Sequence, residues 1–208
     1  QKLSPGDWVV QNAGNSGVGF MVSQLAASMG VSTLSLVRRK NRSGADYAAM
    51  KDHLELQGKS TLVVAEEDLF NDKEQIRKVG SLVDGPVRLA LNAVGGESSQ
   101  LLLRYLSPNG THVTYGGMAM QPTCIGAGPL IFENKSLVGY WHSRWMLESN
   151  HVDHQRMVER LVQNILDDEL ICPPCQLFSL VDFREGLNVD GQQSKEPVRR
   201  KLVFDLTI

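Results

Sequence analysis

The fold of this chain is decided by the stretch Asp7-Trp8-Val9-Val10-Gln11-Asn12-Ala13-Gly14-Asn15-Ser16-Gly17-Val18-Gly19. A short apolar strand runs into a turn of small residues, and the turn opens a helix that we predict over Val18 to Met29. Gly14-x-Ser16-x-x-Gly19 has the spacing of turns that cradle the pyrophosphate of a dinucleotide. The first glycine permits the tight turn, and the last lets the helix lie against the strand. The alternative is a glycine-rich turn that binds nothing.

Strands and helices alternate on the carboxyl side of this turn. The predicted strands are Thr33–Val37, Leu62–Val64, Val87–Leu91, Gly110–Tyr115 and Ser136–Tyr140, and the predicted helices are Ala45–Gln57, Lys73–Val79 and Ser98–Leu106. This alternation implies parallel strands joined by right-handed crossovers. With the first strand, the rhythm predicts an α/β fold: a doubly wound, six-stranded parallel Rossmann sheet of strand order 3-2-1-4-5-6.

The pattern changes from about Trp145 onward. A long helix is predicted over Asp153–Asp168, followed by a strand at Leu177–Leu180, a short helix at Asp182–Val189 and a last strand at Lys201–Leu206. Because two short strands do not hold together alone, this tail is predicted to belong to another packing unit. We therefore expect two domains, with residues 1–144 as the nucleotide-binding domain and residues 145–208 as part of a second one.

Composition narrows the function. The 208 residues carry a net charge of −2, which gives no reason to expect nucleic acid or an anionic membrane as a partner. No apolar run approaches the roughly 18 residues of a membrane span, and residues 1–7 show no targeting character. Three cysteines do not make a disulfide framework, so a reducing compartment is expected.

Three cations, Arg38-Arg39-Lys40, follow the second predicted strand at its carboxyl end. Enzymes that use NAD place an acidic residue there to bind the ribose. A guanidinium can instead fork onto the 2′-phosphate of NADP, whereas a carboxylate would repel it, and we expect no carboxylate at this position. The alternative is a solvated basic loop. The position at the ligand-binding edge of the sheet favours NADPH.

Other motifs are weaker. Tyr115-Gly116-Gly117-Met118 ends a strand, and its glycines would admit a ligand close to the backbone, although an ordinary turn is slightly favoured on these residues alone. Cys172-Pro173-Pro174-Cys175 follows a long helix without a second cysteine pair, so a redox or metal role is not favoured. His151 and His154 lack an obvious third zinc ligand. No metal site is therefore predicted.

Together these residues resemble the medium-chain dehydrogenase/reductase superfamily, and within it the mitochondrial 2-enoyl thioester reductases. The stretches that carry the resemblance are the phosphate turn Gln11–Gly19, the NADPH-selecting loop Val37–Lys40, the turns Leu91–Gly96 and Thr114–Ala119, and the aromatic stretch Tyr140–Ser143. A zinc-dependent alcohol dehydrogenase is not indicated, because the chain carries no clustered cysteine set.

The resemblance implies NADPH-dependent reduction of trans-2-enoyl groups on acyl carrier protein or coenzyme A, in mitochondrial fatty-acid synthesis. It also implies a homodimer formed by edge pairing near Ser136–Tyr140. The cofactor-binding residues that it implies are Asn15, Ser16, Gly17, Val18, Gly19, Arg38, Arg39, Lys40, Tyr115, Gly116, Gly117, Met118, Tyr140, Trp141, His142 and Ser143, with either Arg200 or Lys201 as a further cation.

One departure from the family pattern concerns catalysis. The family places its dinucleotide domain in the middle of the chain, after a half that carries a catalytic tyrosine, and that tyrosine has no counterpart in these 208 residues. We therefore predict no catalytic residue here, and expect the chain to bind NADPH but to turn over poorly or not at all. The alternatives are a quinone-oxidoreductase-like enzyme of the same superfamily and a non-catalytic NADPH-binding or dimerisation module.

Overall fold

A computed structural model describes residues 2–39, 42–192 and 201–206. Lys40 and Arg200, both predicted to bind the cofactor, lie outside these residues. The strands are β1 (Trp8–Gln11), β2 (Ser32–Val37), β3 (Leu62–Ala65), β4 (Val87–Asn92), β5 (Thr111–Thr114), β6 (Ser136–Gly139), β7 (Cys175–Ser179) and β8 (Lys201–Asp205). The helices are α1 (Gly17–Ser28), α2 (Gly44–Leu56), α3 (Lys73–Gly80), α4 (Gly96–Tyr105), α5 (Ala127–Ile131), α6 (His142–Glu148), α7 (His151–Leu166) and α8 (Phe183–Gln192).

Six of the strands form one parallel sheet in the order β3-β2-β1-β4-β5-β6, which confirms the predicted fold. The pairing of Val37 with Ala65 and of Gln11 with Ser35 brings neighbouring strands to an end at nearly the same level. Because all six strands point the same way, the loops that follow them meet at a single edge of the sheet. This carboxyl edge is where open α/β sheets bind ligands.

Helices cover both faces of the β3–β4 side of the sheet, as a parallel sheet requires. On one face, Leu34, Leu36 and Leu102 belong to a buried cluster that includes residues of α3 and α4. A second cluster gathers residues of α1, α2, β2 and β3, among them Phe20 and Met50. Burial of these apolar side chains supplies the main driving force for folding.

Helix α1 packs through a partly polar face. Its buried residues include Ser23 and Gln24, whereas Val18, one of the apolar residues at helical spacing, is 55% exposed. Gln11 donates from Nε2 to Ser23 Oγ and Ser35 Oγ, at 2.9 and 3.0 Å, so that buried hydroxyls of α1 and β2 find a partner. Hydrogen bonding of this kind offsets the cost of burying polar groups.

Two short helices, α5 and α6, do not follow from the sequence pattern. Helix α5 spans five residues and contains both a glycine and a proline, and α6 spans only seven residues, too few for an apolar periodicity to show. Helix α7 begins at His151, two residues before the predicted start. Neither α5, α6 nor α7 has a buried residue.

The tail forms its own small sheet, in which β7 and β8 pair in parallel. Phe178 of β7 and Phe204 of β8 meet with ring centroids 6.3 Å apart, and a Cβ placed on Gly186 of α8 would lie about 3 Å from the Phe204 ring. This second sheet lies in the part of the chain that follows Trp145. Among the helices of the described residues, none combines the length and apolar character that crossing a bilayer requires.

Candidate cofactor-binding site

The turn between β1 and α1 leaves no room for side chains at two of its glycines. A Cβ on Gly19 would lie 2.7 Å from the carbonyl oxygen of Ala13, and a Cβ on Gly14 would lie 2.7 Å from Cβ of Ser35. Both distances are too short for real contacts. Gly19 thus allows the close approach of the helix that the spacing predicts. Gly14 allows the turn to approach β2, while the left-handed backbone of the turn falls at Ala13, with a φ of 49°.

Ser16 caps the amino end of α1. Its Oγ accepts a hydrogen bond of 3.1 Å from the backbone N–H of Gly19. A hydroxyl that accepts one hydrogen bond keeps its own hydrogen, so Ser16 can still donate to a phosphate oxygen. The first N–H groups of a helix and its positive dipole end attract anions. The amino end of α1 therefore offers both backbone and side-chain donors.

A cation from the far end of the chain lies beside this helix start. A Cβ on Gly17 would be 3.1 Å from Cε and 3.5 Å from Nζ of Lys201, and 3.6 Å from Cγ of Pro173. The backbone N–H of Lys201 donates to the carbonyl of Pro174 at 2.7 Å, which fixes the start of β8 next to the segment that precedes β7. Of the two tail cations predicted at the cofactor, Lys201 is thus placed near the turn.

Asparagines at the carboxyl edge link β1 to β4. The Nδ2 of Asn12 donates to Asn92 Oδ1 at 2.8 Å and to Ser98 Oγ at 2.9 Å, and its Oδ1 accepts from the N–H of Ala93 at 2.8 Å. Asn92 Oδ1 also accepts from the N–H of Gly95 at 2.9 Å. These bonds hold the loop after β4 against the turn after β1, and both asparagines are fully buried.

Carboxylates at the end of β3 contact the two arginines, which corrects the expectation that none would be present. Glu66 Oε2 lies 3.6 Å from Nε of Arg38, and Asp68 pairs with Nη2 of Arg39. The N–H of Arg39 donates to Glu67 Oε2 at 3.0 Å. The sequence argument considered only the residues that follow β2. The parallel pairing of β2 with β3 brings the residues that follow β3 to the same place.

The two arginines have different surroundings. The guanidinium of Arg39 lies 5.0 Å from the ring centroid of Tyr47, and burial raises the pKa of that tyrosine. Arg38 is 49% exposed and faces Glu66, whose side chain is only 2% exposed. Burial raises the pKa of the Glu66 carboxyl, while the hydroxyl of Ser98, which donates to Oε1, and the charge of Arg38 act in the opposite direction.

A cavity of about 580 Å³ opens at this edge. We call it the edge cavity; its lining includes Arg38, Glu66, Val94, Gly95 and Ser98. A second cavity, of about 690 Å³, lies between α3, α4 and the segment that leads to α5, and its lining contains neither arginine of the β2 loop nor any residue of the phosphate turn. The lining of the edge cavity also contains no residue of the phosphate turn, but it contains Arg38, so this cavity adjoins the predicted site on the side of the β2 loop.

Tyr115 to Met118 forms a turn braced by the loop after β4. A Cβ on Gly116 would lie 2.9 Å from the carbonyl oxygen of Ala93, whereas Gly117 has nothing within 4 Å. The N–H of Met118 donates to the same carbonyl at 3.1 Å. Gly116 thus serves a close approach of two loops, and only Gly117 leaves open space. Burial raises the pKa of the Tyr115 phenol.

The aromatic stretch Tyr140 to Ser143 crosses the end of β6 and enters α6. Tyr140 Oη and His142 Nδ1 lie 3.1 Å apart, and the His142 ring stacks on Trp145 at 6.1 Å between centroids. Tyr140 and Trp141 are exposed. The structure thus places these predicted residues on an open aromatic surface next to the sixth strand.

Residues 17–162 match the model of a protein family described as zinc-binding dehydrogenase. The match covers well over half of the chain. The chain belongs to the zinc-binding dehydrogenase family. The predicted resemblance to the medium-chain dehydrogenase/reductase superfamily is thereby confirmed.

Similar proteins narrow the position within the family. The human protein named mitochondrial enoyl-[acyl-carrier-protein] reductase is 38% identical over 187 residues, which is 90% of this chain and 48% of that protein. The mitochondrial 2-enoyl thioester reductase Etr1p/Etr2p heterodimer from Candida tropicalis has a TM-score of 0.78 at 28% identity, over 93% of this chain and 53% of that one. A solved Etr1p/NADP/crotonyl-CoA complex matches with a TM-score of 0.78 at 29% identity, with the same coverage of both chains. This dehydrogenase chain therefore spans about half the length of the relatives it matches.

The family name raises the question of a zinc ion. Within residues 2–39, 42–192 and 201–206, no group of three or more histidine, cysteine, aspartate or glutamate side chains could hold a metal ion. Cys124, Cys172 and Cys175 are free and exposed. The side chains of this part of the dehydrogenase chain therefore do not form a zinc centre.

A dinucleotide does fit the residues present. The glycine turn leaves a cradle that side chains would fill, the start of α1 supplies anion donors, and cations stand at two places around it, Lys201 and Arg38. Sequence reasoning missed the supporting residues Glu66 and Ser98. The signal for Glu66 was its position directly after β3, since the residues that follow adjacent parallel strands lie side by side.

Proposed function

We propose that this chain binds NADPH and supplies the cofactor-binding part of an enzyme that reduces trans-2-enoyl thioesters to acyl thioesters. The acyl group would be carried by acyl carrier protein or coenzyme A, in mitochondrial fatty-acid synthesis. The observation that carries the proposal is the phosphate turn with Lys201 beside Gly17, at the same sheet edge as Arg38. Its relatives are named as mitochondrial enoyl reductases, which supports the reaction class and the compartment.

Different groups of residues would bind different parts of the cofactor. Asn15 to Gly19 would bind the pyrophosphate through backbone N–H groups and the Ser16 hydroxyl, with the Lys201 ammonium on the other side. Arg38 and Arg39, with Lys40, would bind the 2′-phosphate. Tyr115 to Met118 and Tyr140 to Ser143 would line the nicotinamide side. A buried carboxylate beside Arg38 partly neutralises that cation, so we assign the net attraction to the group of three cations rather than to one of them.

NADPH, when bound, supplies the hydride that adds to the β-carbon of the enoyl thioester. The contribution of this chain is to hold and orient that cofactor: the helix start fixes the phosphates, and the paired loops after β4 and β5 fix the wall beside them. We assign no residue of the chain to proton delivery at the α-carbon. We therefore propose that these 208 residues by themselves bind NADPH without turning over an enoyl thioester.

Two measurements test this proposal. Titration of the protein with NADPH and with NADH, followed by calorimetry, should give clearly tighter binding of NADPH. Incubation with NADPH and a crotonyl thioester should give no steady loss of the NADPH absorbance. Equal affinity for the two cofactors would contradict the assignment of Arg38, Arg39 and Lys40 to the 2′-phosphate. Sustained NADPH oxidation would contradict the proposal that these 208 residues bind NADPH without turning over the substrate.

We also propose a division of the chain into an NADPH-binding domain, residues 1–144, and a carboxyl-terminal part of a catalytic domain, residues 145–208. The separate β7–β8 sheet supports this division. Strand β6 is the edge of the larger sheet, and its exposed backbone can pair with the same strand of a second copy, so we propose a homodimer through this edge. The N–H groups of Ser136 and Tyr140 donate to β5, so the alternating N–H of Gly139 faces the open edge. A sedimentation experiment on the wild type and on Gly139→Pro would test the homodimer, because proline removes this edge hydrogen-bond donor.

A further inference from the structure

Glu66 is a carboxylate buried at the ligand-binding edge. It follows the last residue of β3, lines the edge cavity, and its side chain is only 2% exposed. Burying a carboxylate is costly unless it is paired and hydrogen-bonded. Glu66 has both kinds of partner: Ser98 Oγ donates to its Oε1, and Arg38 Nε stands 3.6 Å from its Oε2. Its position at the cavity calls for an explanation beyond core packing.

The partners of Glu66 form one continuous polar chain across the sheet edge. Asn12, which directly follows β1, donates to Ser98 Oγ at 2.9 Å, Ser98 donates to Glu66, and Glu66 faces Arg38. These hydrogen bonds and the ion pair therefore connect the turn after β1 to the loop after β2 through Ser98 of α4 and Glu66, the residue that follows β3. This turn and this loop are the two places where the phosphates of a dinucleotide phosphate would sit under the proposed function.

The neighbouring arginine provides a contrast within the same loop. Arg39 is tied to Asp68 and lies over the Tyr47 ring, and it is not among the residues that line the edge cavity. Arg38 lines that cavity and meets its carboxylate through Nε. A guanidinium held through Nε has two further nitrogens with which it can fork onto a phosphate. The contact with Glu66 thus orients Arg38 without using the nitrogens best suited to that task.

We propose that Glu66 is a positioning residue for cofactor selectivity, which holds the Arg38 guanidinium at the wall of the edge cavity so that it receives the 2′-phosphate of NADPH. This inference rests on the proposed function in one respect, the reading of the 2′-phosphate by Arg38. It reverses the simple electrostatic expectation. A carboxylate near a phosphate repels it, so a merely repulsive Glu66 would weaken NADPH binding and its removal would strengthen it.

The sign of one substitution separates these two roles. Glu66→Gln keeps an oxygen that can accept from Ser98 but removes the charge that holds Arg38. We expect NADPH to bind about tenfold more weakly, the order of effect of one misplaced charge-assisted hydrogen bond, while NADH affinity stays the same. Calorimetric titration of both cofactors measures the ratio. NADPH affinity that is unchanged or increased in Glu66→Gln would overturn the proposal.

The adjacent residue supplies a matched control. Glu67→Gln removes the same charge from another residue that lines the edge cavity, and its amide oxygen can still accept from the N–H of Arg39. We expect the NADPH to NADH ratio to change by less than about twofold in this variant, as for an exposed charge. An equal loss in Glu66→Gln and Glu67→Gln would indicate a general charge effect and would also overturn the proposal.

Two further variants complete the test. In an Arg38→Ala background, Glu66→Gln should have no additional effect on NADPH affinity, because the group that it positions is gone. If Glu66→Gln fails to fold, as judged by its thermal melt, Ser98→Ala removes the donor to Glu66 and should shift the ratio in the same direction; an unchanged ratio would overturn the proposal. An Arg38→Ala variant with an unaltered ratio would overturn the proposal, because other cations would then bind the 2′-phosphate, whereas equal affinity of the wild type for NADPH and NADH would contradict the proposed function itself. A selective loss in Arg38→Ala with a neutral Glu66→Gln would contradict only the positioning role.

Discussion

The two ends of the six-stranded sheet differ in how far the helices beside them bury apolar side chains. From β3 to β4 the flanking helices α1 to α4 bury their apolar side chains against the sheet, in clusters that contain Leu34, Leu102 and Met50. From β5 onward, helices α5, α6 and α7 have no buried residue. Phe132 and Leu147 are among the most exposed apolar side chains. The β3–β4 side is packed by its own helices, and the β5–β6 side keeps an apolar surface open.

This difference teaches that apolar content alone does not place a helix in the core. Helix α7 has an apolar row at helical spacing, yet Val158 and Leu166 are exposed. Contiguous exposed apolar surface in a folded protein marks a place of contact with another surface. The candidate site lies where the two sides meet, and its phosphate-binding part is built by the packed side.

The strongest test of this comparison is a pair of identical truncations. Leu102→Ala in α4 removes a side chain with no exposed surface and should lower the free energy of unfolding by roughly 2–5 kcal/mol. Leu166→Ala in α7 removes the same atoms from a side chain that is 71% exposed and should change it by less than about 0.5 kcal/mol. Urea unfolding of both variants measures the difference. Equal losses would show that α7 is as well packed as α4.

A second test concerns charge on the two sides. Arg38→Ala with Arg39→Ala should weaken NADPH far more than NADH, because a charge-assisted hydrogen bond to the 2′-phosphate contributes roughly 1.5–3 kcal/mol. Arg156→Ala with Arg160→Ala removes the same formal charge from the exposed face of α7 and should leave both affinities unchanged. Calorimetry on the two double variants gives the comparison. Equal loss of NADPH and NADH in the first would show that these arginines do not read the 2′-phosphate.

A third test compares two glycines. Gly19→Ala would place a Cβ 2.7 Å from a carbonyl oxygen, and overpacking of this kind typically costs about 1–3 kcal/mol. It should also weaken NADPH, because α1 must shift away from the phosphate turn. Gly117→Ala, in open space beyond β5, should leave the free energy of unfolding within about 0.5 kcal/mol of the wild type. A thermal melt and an NADPH titration of each variant measure these effects. A Gly19→Ala variant with wild-type stability would contradict the packing described for the turn.

The smallest expected effect is on the pH dependence of stability and concerns His112 of β5, the strand between the two sides of the sheet. His112 is fully buried with Nε2 3.0 Å from Ser99 Oγ, and burial lowers its pKa below the ordinary value of about 6.5. The unfolded chain therefore takes up this proton first as the pH falls, so stability decreases below about pH 6.5. His112→Gln should flatten that decrease in melts recorded between about pH 5 and pH 7.5. An unchanged slope would place the acid sensitivity elsewhere.

The sheet could be predicted from the sequence because its rules are local. Each strand is a short apolar run, each helix lies between two such runs, and right-handed crossovers leave few possible orders. The steric role of Gly19 was equally readable, since it depends only on the turn itself, whereas Gly14 contacts Ser35 of β2 and depends on the strand pairing. Helix α5 could not be foreseen, because a five-residue helix with Gly128 and Pro129 has no periodic pattern to detect.

The carboxylates at the site were missed for a different reason. Glu66, Glu67 and Asp68 approach the arginines only because β2 pairs with β3, and the pattern of either segment alone does not contain that contact. The predicted strand order already implied that residues after β2 and β3 would be neighbours. Lys201 shows the same limit: its approach to Gly17 depends on how the tail folds back, and the sequence narrowed the choice only to two adjacent cations.

The attachment of the tail has a thermodynamic consequence. Gln24 of α1 exchanges two hydrogen bonds with the backbone of Ile171, with its Nε2 donating at 3.1 Å and its Oε1 accepting at 2.6 Å, and Pro173 and Lys201 then reach Gly17. One helix therefore carries both an anion-binding end and the docking point of a segment from the other end of the chain. A ligand that touches Gly17 and Lys201 together must favour the docked tail, and by reciprocity a docked tail must raise the affinity for that ligand by the same factor. Ligand binding at the start of α1 and docking of the tail are thus two coupled equilibria rather than two independent contacts.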